Sequence, residues 1–201
     1  MRIGGVQKFS FIDYPGKTAA IIFTQGCNFK CGYCHNPQLV YPSLFKVSIP
    51  EEEIFAFLES RINQLDGVVI TGGEPTLQPD LIEFITKVKD MGFLIKLDTN
   101  GSNPKVLEQI IKQKLVNFIA MDIKAPFDKY NSVCCVPVNI DNIKLSMNLI
   151  KKSGINFLFR TTYDKSKLFD KDIQTMTDFL NVADFYKIQK CNPVTLYPQI
   201  N

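Results

Sequence analysis

Short apolar runs alternate with longer amphipathic stretches along this chain, and the two periodicities predict its elements. Runs rich in β-branched, aromatic and leucine residues fall at 19–24, 67–71, 93–98, 117–122, 156–161 and 185–190. Each is short and mostly apolar, as strands covered on both faces should be. Helical patterns lie between them, at 50–62, 79–91, 103–114, 139–152 and 171–182. The first opens on a proline and three glutamates, which suit a first turn, and the second ends at Gly92, a natural cap. Six strands separated by five helices imply right-handed βαβ units and a parallel sheet, either open and doubly wound or curled into a partial barrel. In both arrangements the functional site belongs at the C-terminal ends of the strands. The polar residues ending the apolar runs are then expected on one rim: Gln25 and Gly26, Thr71 to Glu74, Asp98 to Gly101, Asp122 with Lys124, and Arg160 to Thr162.

No linker, low-complexity tract or repeat interrupts the 201 residues. One domain is expected over 1–201, with an N-terminal lead-in (1–18), a βα core (19–190) and a C-terminal tail (191–201). A domain of this size buries about 70% of the surface its unfolded chain exposes, so its cysteines are not needed to hold it together. With 45% hydrophobic and 21% charged residues, the chain is neither disordered nor collagen-like. Its 23 basic residues are scattered among 20 acidic ones, which argues against a nucleic-acid partner. The first residues, MRIGGVQKFSFIDYPG, lack the apolar run expected of a secretory signal, and no run approaches the roughly 18 apolar residues of a membrane span. The expected location is the cytoplasm, without a membrane partner. In that reducing compartment grouped cysteines hold a metal or do chemistry rather than form bridges. The single histidine, His35, leaves no histidine-rich zinc site.

After the first strand, Cys27, Cys31 and Cys34 form C-x3-C-x2-C in a loop, with Gly26 and Gly32 supplying the freedom to wrap around one centre. Soft thiolates select zinc or iron-sulfur clusters. Clusters are normally held by four cysteines, so a local count of three leaves one iron open to a further ligand. The alternative is structural zinc on these three thiols and His35, but adjacent Cys34 and His35 would make a strained chelate.

At these residues the chain resembles the radical S-adenosylmethionine enzymes, whose signature is C-x3-C-x-(aromatic)-C, with Tyr33 as the aromatic. The resemblance implies a 4Fe-4S cluster on Cys27, Cys31 and Cys34, its open iron chelated by S-adenosylmethionine. Thr71-Gly72-Gly73-Glu74-Pro75 stands where that family carries its GGE motif. Gly72 and Gly73 are expected to let the backbone approach the ligand, and Glu74 to accept from its ammonium. The segments 8–16 (KFSFIDYPG), 33–37 (YCHNP), 98–101 (DTNG) and 121–126 (MDIKAP) narrow the resemblance to activating enzymes of glycyl radical enzymes. The most similar type is the activating protein of anaerobic ribonucleoside-triphosphate reductase. Segment 163–167 departs from the usual pattern, which bears on a local loop and on partner contacts.

The family fold is a partial (β/α)6 barrel of parallel strands, open on one side. Asp98, Asp122, Lys124 and Arg160 are read as cofactor contacts, Arg160 toward the cofactor carboxylate; a structural ion pair is the alternative for Asp122 and Lys124. The resemblance also implies a monovalent-cation site at the positions of Asp98 and Asp122. The implied reaction takes one electron from a flavodoxin- or ferredoxin-type donor, cleaves the cofactor to methionine and a 5′-deoxyadenosyl radical, and removes a hydrogen from a glycine Cα of the partner enzyme. No general acid or base is required. Rival readings are a compact enzyme acting on a small molecule, similar to carboxy-deazaguanine synthases, and a non-catalytic cluster- or zinc-binding protein. Cys134, Cys135 and Cys191 are read as small buried hydrophobes.

Overall fold

The chain folds into one sheet of seven strands arranged in sequence order; the computed structural model describes residues 1–181 and 185–191. The strands are β1 (Ile3–Tyr14), β2 (Lys17–Thr24), β3 (Gly67–Gly72), β4 (Leu94–Thr99), β5 (Phe118–Asp122), β6 (Asn156–Tyr163) and β7 (Tyr186–Lys190). From β2 to β7 every pairing is parallel, and with the intervening helices the sheet forms a half barrel.

The expected lead-in itself holds a strand, so seven strands rather than six stand among the described residues. β1 pairs antiparallel with β2 through a tight turn at Pro15-Gly16, where Gly16 takes φ +67°. Proline followed by a residue with positive φ is a turn that glycine makes without strain. Three register shifts along β1 break its alternation, which conceals the strand in the sequence.

The helices are α1 (Glu51–Glu59), α2 (Leu81–Asp90), α3 (Pro104–Lys112), α4 (Tyr130–Cys134), α5 (Ile140–Lys152) and α6 (Asp170–Leu180). All but the short α4 were expected, each within a few residues. Val182 of the expected last helix and residues 192–201 of the expected tail lie outside the described residues.

The period-2 geometry of the strands divides their side chains between two faces. Ala20, Ile22, Val68, Ile70, Ile95, Leu97 and Ile119 join the main core with Leu58 of α1, Phe84 of α2, Ile110 of α3 and Ile150 of α5. The opposite face carries a small apolar layer of Ala19, Ile21 and Val69. In the same alternation, toward the C-terminal strand ends, follow Thr71, Lys96 and Asp98, Asp122, and Arg160. The helices therefore cover one face, and the other presents its charges to a cavity.

Candidate functional site

A cavity of about 420 Å³ opens at the C-terminal ends of the strands, within the range of small-molecule sites. Cys27, Cys31, Cys34 and Tyr33 line one part of it. Gly72, Gly73, Glu74, Asp98, Asp122, Lys124 and Arg160 line the remainder, so every expected cluster ligand and cofactor contact reaches one cavity, whereas Gln25, Gly26, Gly101 and Thr161 of the expected rim do not line it. His35 and the rim residue Asn100 also border it, together with Asp13, to which the sequence assigned no role.

The cysteine loop is anchored by its aromatic residues: Phe29 and Tyr33 are buried in the main core. Cys34 N–H donates to the Cys31 carbonyl at 3.0 Å, and Phe29 N–H donates to Cys27 Sγ at 3.4 Å. Burial pushes the Cys27 thiol up to about 12 and also raises Cys34. Cys31 is shifted the other way, chiefly by a hydrogen bond from the Cys134 thiol. Cys134 is buried, as a small hydrophobe would be, but it stands against Cys31 of the cysteine loop. Lys30 N–H fixes that contact by donating to the Cys134 carbonyl at 2.9 Å. Cys135 is exposed at φ +54°, and Cys191 is half-buried.

The glycine pair is required by the backbone. A Cβ on Gly72, which has φ +112°, would stand 2.4 Å from Thr24 N, and one on Gly73 would stand 2.1 Å from the Gly26 carbonyl oxygen. Gly73 N–H donates to Thr24 O at 2.9 Å and Glu74 N–H to Gly26 O at 2.8 Å. Both glycines line the cavity, while the direction a side chain would take is occupied by the end of β2 and the base of the cysteine loop.

Glu74 is fully buried and accepts from four protein donors. Thr76 N–H (3.1 Å), Thr76 Oγ1 (2.5 Å) and Thr99 Oγ1 (2.7 Å) meet Oε1, and Asn100 N–H (2.6 Å) meets Oε2. The carboxylate thus ties the β3 loop to the β4 loop. Burial raises its pKa, and the hydrogen bonds work in the opposite direction.

Across the cavity, charges alternate between strands. Arg160 NH1 donates to Asp98 Oδ2 at 3.1 Å, and its Nε to Asp122 Oδ1 at 2.9 Å. Lys124 Nζ donates to Asp122 Oδ2 at 3.0 Å, while Lys96 pairs with Asp98 Oδ1. Burial opposes the charge on Asp122, but Arg160 and Lys124 outweigh it and bring the carboxyl down to about 2. Lys96 was missed in the sequence; the available signal was a lysine two residues before Asp98, on the same face of the strand.

The donor set fits a polynuclear iron-sulfur cluster with an amino-acid cofactor. Among the described residues no three His, Cys, Asp or Glu side chains converge tightly enough to chelate one metal ion. Cys27, Cys31 and Cys34 all line this one cavity, which is the condition for three thiolates to serve one cluster. Tyr33 also lines this space, and its hydroxyl is buried with no hydrogen-bond partner.

The sequence pattern of the Radical SAM superfamily matches residues 21–180. The chain belongs to that superfamily. A Methanocaldococcus jannaschii protein, provisionally named a glycyl-radical enzyme activating enzyme, is 38% identical over 98% of this chain and 82% of its own length. The chain is therefore a radical SAM enzyme of the activating-enzyme class. The 7-carboxy-7-deazaguanine synthase of Clostridium acetobutylicum is 26% identical over 98% of this chain and 93% of its own. Among solved structures, Streptococcus suis SuiB bound to S-adenosylmethionine superposes with a TM-score of 0.71 at 19% identity. That match covers 90% of this chain but only 42% of the SuiB chain, and it establishes the fold alone. No helix among the described residues is long and apolar enough to cross a membrane.

Proposed function

We propose that this enzyme installs a glycyl radical on a partner protein, with anaerobic ribonucleoside-triphosphate reductase as the first candidate. Cys27, Cys31 and Cys34 would hold a 4Fe-4S cluster, and the cavity beside them would hold S-adenosylmethionine. Together these groups supply, when bound, reductive formation of a 5′-deoxyadenosyl radical. The chain's own residues bind and orient. Arg160 and Lys124 give the far wall the positive character that a carboxylate needs, and Tyr33 offers its unpartnered hydroxyl. Glu74 holds the β3 and β4 loops in register, so that Gly72 and Gly73 shape the wall through their backbone.

The observation that carries the reading is the single cavity shared by three thiols and the Asp98–Arg160–Asp122 network at the open side of a half barrel. β1 and β7 are not paired with each other, which leaves room for a substrate as large as a protein loop. One sheet supports one domain over 1–201. Cys27, Cys31 and Cys34 grouped in one loop suit a reducing cytoplasm, and a flavodoxin- or ferredoxin-type protein is the proposed electron donor.

The whole-chain likeness to a deazaguanine synthase favours a second reading, a small-molecule substrate. Mixing the anaerobically reconstituted, reduced enzyme with S-adenosylmethionine and the candidate reductase separates the two. The activase reading expects a glycyl-radical doublet by EPR; robust cofactor cleavage with every candidate silent supports the small-molecule reading.

A further inference from the structure

Every carboxylate oxygen on the charged wall already has a cationic partner from the chain. Asp98 takes Lys96 on Oδ1 and Arg160 on Oδ2, and Thr71 Oγ1 adds a 3.4 Å contact to Oδ2. Asp122 takes Arg160 on Oδ1 and Lys124 on Oδ2. These groups are well shielded: the Lys96 side chain is 4% exposed and that of Asp98 13%. A free alkali cation binds through several oxygens. To enter here it would have to displace an ammonium or a guanidinium and then remain beside it in a poorly solvated space, where like charges repel strongly.

The charge count agrees. Three chain cations, Lys96, Lys124 and Arg160, face two carboxylates, Asp98 and Asp122, so the wall already carries one positive charge in excess and a further cation would add to it. The residues therefore do not fit the monovalent-cation site that the family resemblance implies.

We propose that Lys96 is a built-in cation: tethered to Asp98 from the same strand, its ammonium stands in for a free Na+ or K+, and the enzyme binds its cofactor without either ion. The proposal rests on the reading of this cavity as the S-adenosylmethionine site. Lysine suits the task because its ammonium is a compact point charge with three donors.

The test measures S-adenosylmethionine affinity of the reconstituted enzyme by calorimetry in tetramethylammonium chloride, then in NaCl or KCl at the same ionic strength. The wild-type dissociation constant should stay within about twofold across the salts, whereas Lys96→Met should bind about tenfold more weakly in tetramethylammonium and recover with K+ or Na+. A second arm follows the melting temperature of the metal-free protein, which added K+ should leave unchanged in wild type and raise in Lys96→Met. Wild-type affinity that rises about fivefold or more with K+ or Na+ would overturn the proposal, as would a Lys96→Met enzyme equal to wild type in tetramethylammonium. If Lys96→Met does not fold, the wild-type comparison decides alone. No binding in any salt would instead sink the cofactor reading, and the wild-type melting arm would still decide the role of Lys96.

Discussion

Arg160 on β6 reaches across β5 to Asp98 on β4, at 3.1 Å, while holding Asp122 on the intervening strand at 2.9 Å. One fork serves two carboxylates on separate strands, which a point charge cannot do. Arg160→Leu should destabilise the fold by about 3 kcal/mol in urea denaturation, because it leaves two shielded carboxylates short of a partner. Arg160→Lys should retain most of the stability but bind S-adenosylmethionine about tenfold more weakly. Equal binding by the lysine variant and wild type would show that the fork geometry does not matter.

Glu74 gives a pH signature. Burial raises its folded pKa above the unfolded value. Its contribution to stability is therefore full below the unfolded pKa and falls as pH rises through the higher folded one. Glu74→Gln does not titrate. The stability difference between wild type and Glu74→Gln, from urea midpoints on the metal-free protein, should shift against wild type across that window; a flat difference would contradict the raised pKa.

The cysteines should differ in reactivity before any cluster is loaded. Burial raises Cys27 and Cys34, while the Cys134 hydrogen bond lowers Cys31. The thiolate is the nucleophile. Iodoacetamide should therefore modify Cys31 of the metal-free protein at lower pH than its two neighbours, and Cys134→Ala should move that labelling to higher pH. Peptide mass mapping reads both outcomes, and an unchanged Cys31 profile in Cys134→Ala would rule out the contact.

Gly73 cannot carry a side chain without moving the cysteine loop. Its added Cβ would meet the Gly26 carbonyl oxygen at 2.1 Å, a backbone atom that cannot rotate away. Gly73→Ala should cost about 1–3 kcal/mol by overpacking and reduce iron incorporation, measured as the 4Fe-4S absorption after reconstitution. Normal incorporation would mean that the two loops move independently.

The parallel strands were legible because most are short apolar runs, although the helices cover only one face of the sheet and β7 is largely exposed; the cysteines were legible because of their spacing. β1 was not legible. It is an edge strand whose Phe9, Phe11 and Ile12 are exposed, and its register shifts break the alternation that would have marked it. The rim residues were identified, but their partners were not. Glu74 was read as a ligand contact, but its hydrogen bonds to Thr99 and Asn100, far along the chain, which tie two loops together, were not legible. Cys134 and Lys96 were passed over for related reasons. One lies far in sequence from the cysteine it contacts, and the other looks like a stray charge until the pleat turns it inward beside Asp98.

The most direct measurement follows a hydrogen atom. The candidate reductase would be prepared with its glycines deuterated at Cα and incubated with the reduced, reconstituted enzyme and S-adenosylmethionine, and the released 5′-deoxyadenosine weighed by mass spectrometry. Activation of a glycyl radical enzyme predicts product carrying one deuterium, formed as the EPR doublet grows. Abundant 5′-deoxyadenosine without deuterium, and no doublet with any glycyl radical enzyme supplied, would contradict it.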